Sequence, residues 1–326
     1  MMGKWGVPLL LAALLGLAPP LHAASAGKAE PATAKKAVGK KFANKKAAKP
    51  KAGAAVSSRK AAQHVAVLVD DPGHLALSST AVLVLDQNTG EAIVEKQPDS
   101  VQPIASITKL MTAMVVLDAG LDLNEVISIG VEDVDWLKGS TSRLAVGTTM
   151  TRETALLLAL MSSENRAAKA LGRHYPGGLP AFVDAMKAKA ALLGMESSHF
   201  EEPTGLSSNN VSTAHDLARL VAAAADYPEI RLFSTTASAR LEVHGRIREF
   251  VNTNTLVRSD DWEIGLSKTG YISEAGRCLV MQATVAGKPV VIVLLDSNGK
   301  MTRVGDANRI KRWMESATIA SSRRSA

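Results

Sequence analysis

Hydrophobic and polar positions follow a strand period in two sections of the chain. Residues 81–86 and 91–96 are strand-like and flank Asn88-Thr89-Gly90, a sequence typical of a tight turn. In the last third of the chain, apolar residues again alternate or run together, and Ala286-Gly287-Lys288 predicts a hairpin turn. The strands predicted in this second section are 264–271, 277–285 and 289–296.

Between these two sections, apolar positions recur three and four residues apart, which is the period of a helix. A buried helix is predicted to begin at Ser106 and to end near Leu117, and residues from about 120 to 200 are predicted to be mostly helical. The order of strands, helices, strands and a last helix predicts an α+β fold in which a sheet domain carries a helical insertion. The other predicted helices are 151–162, 180–193, 306–315 and one that begins near Ser212 and runs toward Tyr227.

The first 26 residues have the pattern of an export signal. Lys4 supplies a positive charge, residues 5–18 are uncharged and rich in leucine, and Pro19-Pro20 precedes small residues that suit cleavage. The apolar run is shorter than the about 20 residues that a membrane-spanning helix needs. We therefore predict a signal peptide over residues 1–26, with an uncleaved anchor as the alternative. Either interpretation places the folded part outside the cytoplasm, and we expect it in the periplasm.

Residues 27–62 consist largely of Ala, Lys, Gly and Pro and hold eleven Lys or Arg against one acid, Glu30. The formal net charge of +7 for the whole chain therefore comes from this segment. Such a composition cannot bury enough apolar surface to offset the entropy of ordering. We predict a disordered basic linker at 27–62, a folded domain at 63–318, a short basic tail at 319–326 and no nucleic-acid partner. Contact of the linker lysines with anionic lipids or acidic wall polymers is the alternative to a simple spacer.

The cysteine and histidine content argues against disulfide, thiol or metal chemistry. The only cysteine, Cys278, lies in an apolar, strand-like stretch, where a thiol is typically a buried apolar group. None of the seven histidines has the spacing of a metal-binding motif. The histidines therefore give no indication of a metal site.

The first chemical motif is Ser106-Ile107-Thr108-Lys109. A serine hydroxyl is a weak nucleophile at neutral pH and needs a neighbouring base. Residues three apart share one face of a helix, so the amine of Lys109 is predicted to reach the hydroxyl of Ser106. A serine in the first helical turn also places developing negative charge at the positive end of the helix dipole. The spacing therefore predicts a Ser106 nucleophile with Lys109 as its base.

The second motif is Ser163-Glu164-Asn165, at the end of an apolar predicted helix. The hydroxyl of Ser163 is predicted to relay a proton toward a leaving group. The side-chain amide of Asn165 is predicted to hold Lys109 and a substrate carbonyl. Taken alone, this tripeptide is more typical of a polar helix end with ordinary capping.

The third motif is Lys268-Thr269-Gly270, at the end of a predicted strand. The amine of Lys268 and the hydroxyl of Thr269 are predicted to bind a carboxylate, and Gly270 is predicted to let a substrate backbone lie beside the strand. The backbone amide of Tyr271 is expected to join that of Ser106 as an oxyanion hole.

The three motifs together indicate what none of them indicates alone. Their order on a helix, a helix end and a strand resembles that of penicillin-binding proteins and serine β-lactamases. The longer stretches that begin at Ile104 and Pro203 are similar to low-molecular-mass D-alanyl-D-alanine carboxypeptidases. The stretches that resemble the D-alanyl-D-alanine endopeptidase branch of that family are 163–168, 252–254 and 274–279.

The resemblance implies a β-lactamase/transpeptidase-like fold, with an antiparallel sheet flanked by helices and a mostly helical subdomain. It implies that Ser106 attacks the carbonyl of a D-alanyl bond in peptidoglycan, while Lys109 acts as general base, its pKa lowered by burial and by the charge of Lys268. Ser163 then passes the proton to the leaving amine, and water hydrolyses the acyl-enzyme. The resemblance implies that no metal ion and no organic cofactor is needed. The implied partners are peptidoglycan stem peptides as substrates and β-lactam antibiotics as covalent inhibitors.

Several related activities stay open beside this one. Little sequence follows the last predicted helix, so we expect neither the extra β-domain nor the membrane anchor of many carboxypeptidases, which favours a soluble periplasmic endopeptidase. Removal of terminal D-alanine, as a carboxypeptidase, is the main alternative. A serine β-lactamase, a β-lactam sensor and a wall-binding module without catalysis are further alternatives. Arg277 and Arg303 fit either a substrate carboxylate or an exposed salt bridge.

Overall fold

The computed structural model describes the backbone of residues 75–324 and the side chains of residues 75–318. The predicted signal peptide at 1–26 and the predicted linker at 27–62 lie outside the described residues. The strands are β1 (Ser79–Asp86), β2 (Ala92–Lys96), β3 (Gln102–Pro103), β4 (Val126–Ser128), β5 (Thr149–Thr151), β6 (Val211–Ser212), β7 (Ser238–Val243), β8 (Arg246–Val251), β9 (Glu263–Ile272), β10 (Gly276–Val285) and β11 (Lys288–Ser297). The helices are α1 (Thr108–Asp118), α2 (Arg152–Met161), α3 (Asn165–Arg173), α4 (Gly178–Leu192), α5 (Ala214–Ala224), α6 (Pro228–Thr235) and α7 (Thr302–Arg324).

A five-stranded antiparallel sheet forms the centre of the described chain, with the strand order β2-β1-β11-β10-β9. The amino-terminal hairpin therefore pairs with the last strand, and β9 lies at an edge. Ala286 and Gly287 join β10 to β11 and both have positive φ, the backbone of a tight hairpin turn that matches the strand twist. The predicted turn and all five predicted strands are present, with ends that differ by one or two residues.

The two faces of this sheet are covered by different helices. Side chains alternate between the faces of a strand, so Val82 and Val84 of β1 pack on one side with Ile310 and Met314 of α7. Leu83, between them, packs into a larger core on the other side, which α1 to α6 supply. Burying one such side chain stabilises the fold by about 1.5–3 kcal/mol. The sheet is thus buried on both faces, and its β9 edge borders the helical part of the chain.

Three parts of the described chain differ from the sequence-based expectations. Residues 119–151 contain no α-helix and form β4, β5, a short 3₁₀ helix and polar loops. Ser, Thr and Asp are frequent there, and their side chains hydrogen-bond the backbone locally in competition with a helix. Helix α5 is capped by Thr213, whose hydroxyl accepts from the amide of Asp216, and not by Ser212. Helix α7 continues past residue 315 to Arg324.

The hairpin of β7 and β8 was not predicted, although its sequence carries the signal. Alternating apolar and charged residues flank His244-Gly245, and both of these residues have positive φ in the turn. Charged residues are frequent in both strands because the hairpin is exposed along most of its length. They interrupt the apolar pattern by which a strand is recognised.

Candidate active site

The predicted nucleophile lies in a tight turn that leads into α1. Ser106 is the middle residue of the 3₁₀ helix Ala105–Ile107, and α1 begins directly after it. Ala105 has a φ of 47°, in the left-handed region that costs a residue with a side chain about 1–3 kcal/mol. The hydroxyl of Thr108 donates to the carbonyl of Ala105 at 2.8 Å and fixes this turn. The backbone therefore holds the hydroxyl of Ser106 at the start of the helix, as the sequence predicts.

Two glycines from distant parts of the chain allow this turn to be so closely packed. A Cβ atom at Gly205 would overlap the carbonyl oxygen of Ala105. A Cβ atom at Gly270 would lie 2.9 Å from the carbonyl oxygen of Ile104 and 3.1 Å from the amide nitrogen of Ser106. Gly270 thus lets β9 approach the nucleophile turn, a requirement that its sequence motif does not reveal.

Lys109 is fully buried and contacts three oxygen atoms. Its Nζ lies 2.9 Å from Ser106 Oγ, 2.7 Å from Asn165 Oδ1 and 2.6 Å from the carbonyl oxygen of Thr204. A neutral amine has two hydrogen atoms and one lone pair. If the hydrogens bind Asn165 and Thr204, which can only accept there, the lone pair points at the hydroxyl of Ser106. The arrangement can therefore remove the proton from Ser106.

Burial lowers the pKa of Lys109 to about 7, while the carboxylates of Glu202 and Glu164 act in the opposite direction. The expected effect of burial is present. The charge of Lys268, which was also expected to lower the pKa of Lys109, is not among the causes of that shift. Burial instead lowers the pKa of Lys268 well below its ordinary value, and the charges of Lys109 and Arg303 lower it further. The amine of Lys109 is therefore available as a base near neutral pH.

Ser163 is the second hydroxyl of the cleft, and its backbone is strained. Its φ is 61°, again in the left-handed region. Lys268 Nζ donates to Ser163 Oγ at 3.0 Å and to the carbonyl oxygen of Thr269 at 2.9 Å. The hydroxyl is thus held between the β9 side of the cleft and the helix α3, which begins two residues later.

Asn165 and Glu164 connect the site to the polar loop of residues 139–143. Asn165 Nδ2 donates to Ser140 Oγ at 3.0 Å, which orients the amide so that its oxygen faces Lys109. The buried carboxylate of Glu164 accepts from Ser142 Oγ at 2.6 Å and from Arg143 Nε at 3.0 Å. This loop, which lies in the section from about 120 to 200 that was predicted to be mostly helical, supports the back of the site.

The outer part of β9 borders the cleft. Thr269 Oγ1 donates to Thr253 Oγ1 at 2.6 Å, and Tyr271 is 56% exposed with the guanidinium of Arg277 stacked 4.4 Å from its ring centroid. Arg303 is half-buried and donates to the carbonyl oxygens of Gly270 and Cys278 at 2.8 and 3.1 Å. Neither arginine forms an ion pair with the described residues. The exposed salt bridge considered for each of them is therefore wrong for this part of the chain.

The predicted site residues fall into two hydrogen-bonded groups that lie close together, Ser106 with Lys109 and Asn165, and Ser163 with Lys268. The other three, Thr269, Gly270 and Tyr271, continue along β9 beside them. Sequence reasoning missed the carbonyl of Thr204 and the carboxylate of Glu202, which accepts from the amides of Thr204 and Gly205. It also missed the contacts of Ser140 and Thr253. The signals were the family-like stretches 203–207 and 252–254, whose side chains had no assigned role.

Two observations concern only residues 75–324. No group of three or more His, Cys, Asp or Glu side chains there is placed to hold a metal ion. None of the helices in this range combines the length and the apolar character needed to cross a bilayer.

Comparison with known proteins gives consistent matches. A family model described as D-alanyl-D-alanine carboxypeptidase matches residues 66–299. The D-alanyl-D-alanine endopeptidases of Pseudomonas aeruginosa and Escherichia coli are 50% and 47% identical to this chain over 245 residues, which is 74% of this chain and 79% of each relative. The solved DD-transpeptidase of Streptomyces has 28% identity and a TM-score of 0.67 over 73% of this chain and 97% of its own. The predicted transpeptidase-like α+β fold is therefore confirmed.

Proposed function

Because this chain belongs to the D-alanyl-D-alanine carboxypeptidase family of serine DD-peptidases, we propose that it hydrolyses the D-alanyl cross-links of peptidoglycan as an endopeptidase. The two relatives named endopeptidases, with about half of the aligned residues identical, support this choice. The family name supports carboxypeptidase activity on terminal D-alanine as the second candidate. The two reactions break the same kind of bond and differ only in the leaving amine.

One observation carries the proposal: the buried Lys109 Nζ lies 2.9 Å from Ser106 Oγ while Asn165 and Thr204 accept from it. In the reaction, Lys109 takes the proton of Ser106 as Oγ bonds to the carbonyl carbon of the D-alanyl bond. The backbone amides of Ser106 and Tyr271 stabilise the resulting oxyanion.

The tetrahedral intermediate then breaks its C–N bond. Ser163 delivers its hydroxyl proton to the departing nitrogen and receives in its place the proton that Lys109 took from Ser106, so Lys109 is neutral again. Lys268 Nζ, 3.0 Å from Ser163 Oγ, holds that hydroxyl in place. The product amine leaves, and an ester joins the donor peptide to Ser106. Water, activated by Lys109, cleaves this ester to a carboxylate and regenerates the hydroxyl.

Substrate binding is assigned to Asn165 and to the β9 residues. The Asn165 amide holds a substrate carbonyl, and Lys268 and Thr269 bind a carboxylate of the substrate or of a β-lactam. β9 is an edge strand, which can add an extended peptide by backbone hydrogen bonds. Gly270 and Tyr271 lie where such a peptide passes the nucleophile.

We further propose that residues 1–26 direct export, that residues 63–318 form the catalytic domain, and that the enzyme works in the periplasm. The helical insertion is proposed to supply the Ser163 side of the cleft.

The test is to incubate the purified protein with cross-linked dimeric muropeptides and with monomeric pentapeptides, and to identify the products by mass. We expect conversion of dimers to monomers as the main reaction. The variant Ser106→Ala is expected to lose hydrolysis and labelling by fluorescent penicillin together. Retained labelling of that variant would contradict the assigned nucleophile. Loss of terminal D-alanine alone would favour the carboxypeptidase, and rapid turnover of penicillin would favour a β-lactamase.

A further inference from the structure

A row of guanidinium groups lies beside the catalytic cleft, on the hairpin of β7 and β8. Arg246 and Arg248 are alternate residues of β8, so their side chains leave the hairpin on the same face. Phe250 continues this face and is buried. The guanidinium of Arg143, from the polar loop behind Asn165, lies 4.2 Å from the centroid of the Phe250 ring. We call Arg143, Arg246 and Arg248 the basic groove.

The basic groove is continuous with the catalytic cleft through Arg143. One depression of about 550 Å³ is lined by Arg143 together with Ser163 and Asn165. A neighbouring depression of about 350 Å³ is lined by Arg143 together with Arg246 and Arg248. The two depressions therefore adjoin at Arg143, between Ser163 and the hairpin.

Two of the three charges of the basic groove have no partner within the described part of the chain. Arg143 is paired with Glu164 and also donates to the carbonyl oxygen of Glu249 at 3.1 Å. Arg246 and Arg248 are exposed, and no hydrogen bond or ion pair joins their guanidinium groups to any residue of 75–318. The residues that line the outer depression include no carboxylate, because Glu242 and Glu249 leave the hairpin on its opposite face.

We propose that the basic groove binds free carboxylates of an acidic peptide substrate whose D-alanyl bond lies at Ser106, an inference that rests on the function proposed above. A guanidinium offers paired N–H donors that match the two oxygens of a carboxylate, and its charge does not titrate near neutral pH. Arg143 is pre-positioned by Glu164, and the two exposed arginines remain to receive the ligand. Because the basic groove adjoins the cleft at Arg143, we expect its ligand to be part of the substrate peptide and not a separate anion.

The decisive experiment uses one pair of substrates and three proteins. The substrates are a cross-linked muropeptide dimer with free carboxylates and the same dimer with those carboxylates amidated. The proteins are the wild type, the double variant Arg246→Gln/Arg248→Gln, and the control Arg240→Gln. Arg240 is also exposed but leaves the same hairpin on its other face. Acylation by fluorescent penicillin, which lacks the remote carboxylates, reports the integrity of the catalytic centre.

We expect the double variant to lower kcat/KM about tenfold for the free-carboxylate dimer, chiefly through KM, and less than about twofold for the amidated dimer. Its acylation by penicillin and both activities of Arg240→Gln should stay at wild-type values. If the double variant lost kcat/KM equally on both dimers, or on neither, this inference would be overturned while the proposed function would stand. Reduced acylation of the double variant by penicillin would have the same consequence. A wild-type protein that cleaves neither dimer would overturn the proposed function and this inference with it.

Discussion

The protein presents two cationic regions that differ in their contact with water. In the cleft, Lys109 and Lys268 are almost completely buried, and burial lowers the pKa of both amines. On the hairpin, Arg246 and Arg248 are exposed and unpaired among the described residues. A buried amine can lose its proton near neutral pH and take part in proton transfer, whereas an exposed guanidinium stays charged and can only attract.

The comparison indicates that burial, more than residue type, determines which cationic side chains serve in catalysis and which serve in substrate recognition. A change in the cleft should alter the rate of bond making for every ligand, including penicillin. A change on the hairpin should alter only ligands that carry the matching charge. The following predictions test this division.

The largest effect is expected for Lys109→Met, which keeps the side-chain length and removes the base. Acylation by penicillin should fall by about 10³-fold or more, since a missing general base costs about 10²–10⁴ and the Ser106 hydroxyl also loses its hydrogen-bond partner. The melting temperature should change by only a few degrees, because the gain from removing a buried amine offsets the two carbonyl acceptors left without a donor. Stopped-flow acylation and thermal unfolding measure the two effects. The control is Lys187→Met, an exposed lysine on α4, and near-normal acylation of Lys109→Met would refute the assigned base.

The next effect tests position without changing any charge. Gly270→Ala places a Cβ atom 2.9 Å from the carbonyl oxygen of Ile104, so the nucleophile turn must shift. We expect acylation to fall about 10²-fold, the typical cost of a misplacement near 1 Å. Gly265→Ala in the same strand is the matched control, because its Cβ atom meets only the flexible side-chain end and, more distantly, the backbone of Gln282. Similar acylation rates of the two variants would show that the close approach at Gly270 has no catalytic consequence.

The pH dependence of acylation should follow the protonation of Lys109. Because the base must be neutral, the rate should rise about tenfold per unit below the pKa of about 7 and level off above it. The Glu164 carboxylate raises this pKa, so Glu164→Gln should lower it and move the acid limb to lower pH, by less than one unit. Acylation rates between pH 5 and pH 9 measure the shift against Glu196→Gln, an exposed control. A shift to higher pH would contradict this account of the cleft.

The smallest effect concerns salt. Dissolved ions screen the interaction of exposed charges over a Debye length of about 8 Å at physiological ionic strength, and they screen buried charges much less. Raising the salt concentration should therefore lower kcat/KM for the free-carboxylate dimer severalfold and leave acylation by penicillin nearly unchanged. In Arg246→Gln/Arg248→Gln the salt dependence should become shallower. Equal salt dependence for both ligands would remove the distinction between the two regions.

The convergence of the three motifs could be predicted because their order resembles that of penicillin-binding proteins and serine β-lactamases, and not from the local position of any one motif. Lys109 reaches Ser106 through helical spacing alone, and the strand period located β9 to within one residue at each end. Helices α2 and α4 were predicted because their apolar residues follow the helical period, whereas α3 and α6, which also contribute to the core, were not individually predicted.

Other features depend on tertiary contacts that no local pattern encodes. The left-handed backbone of Ser163 results from the packing of α2, α3 and β9, and a serine in the sequence does not indicate such a conformation. The contacts of Arg303 with two backbone carbonyls require the packing of α7 on the sheet. The polar loop of residues 139–143 has no periodicity, so its support of Asn165 could not be read from the sequence.

The close packing of the nucleophile turn between Gly205 and Gly270 has a practical consequence. Its three parts come from well-separated stretches of the chain, so a molecule with a displaced β9 or a detached 203–207 loop has no reactive serine. Covalent penicillin labelling therefore counts correctly assembled molecules, and the labelled fraction during heating would trace loss of native structure in a mixture as crude as a cell extract.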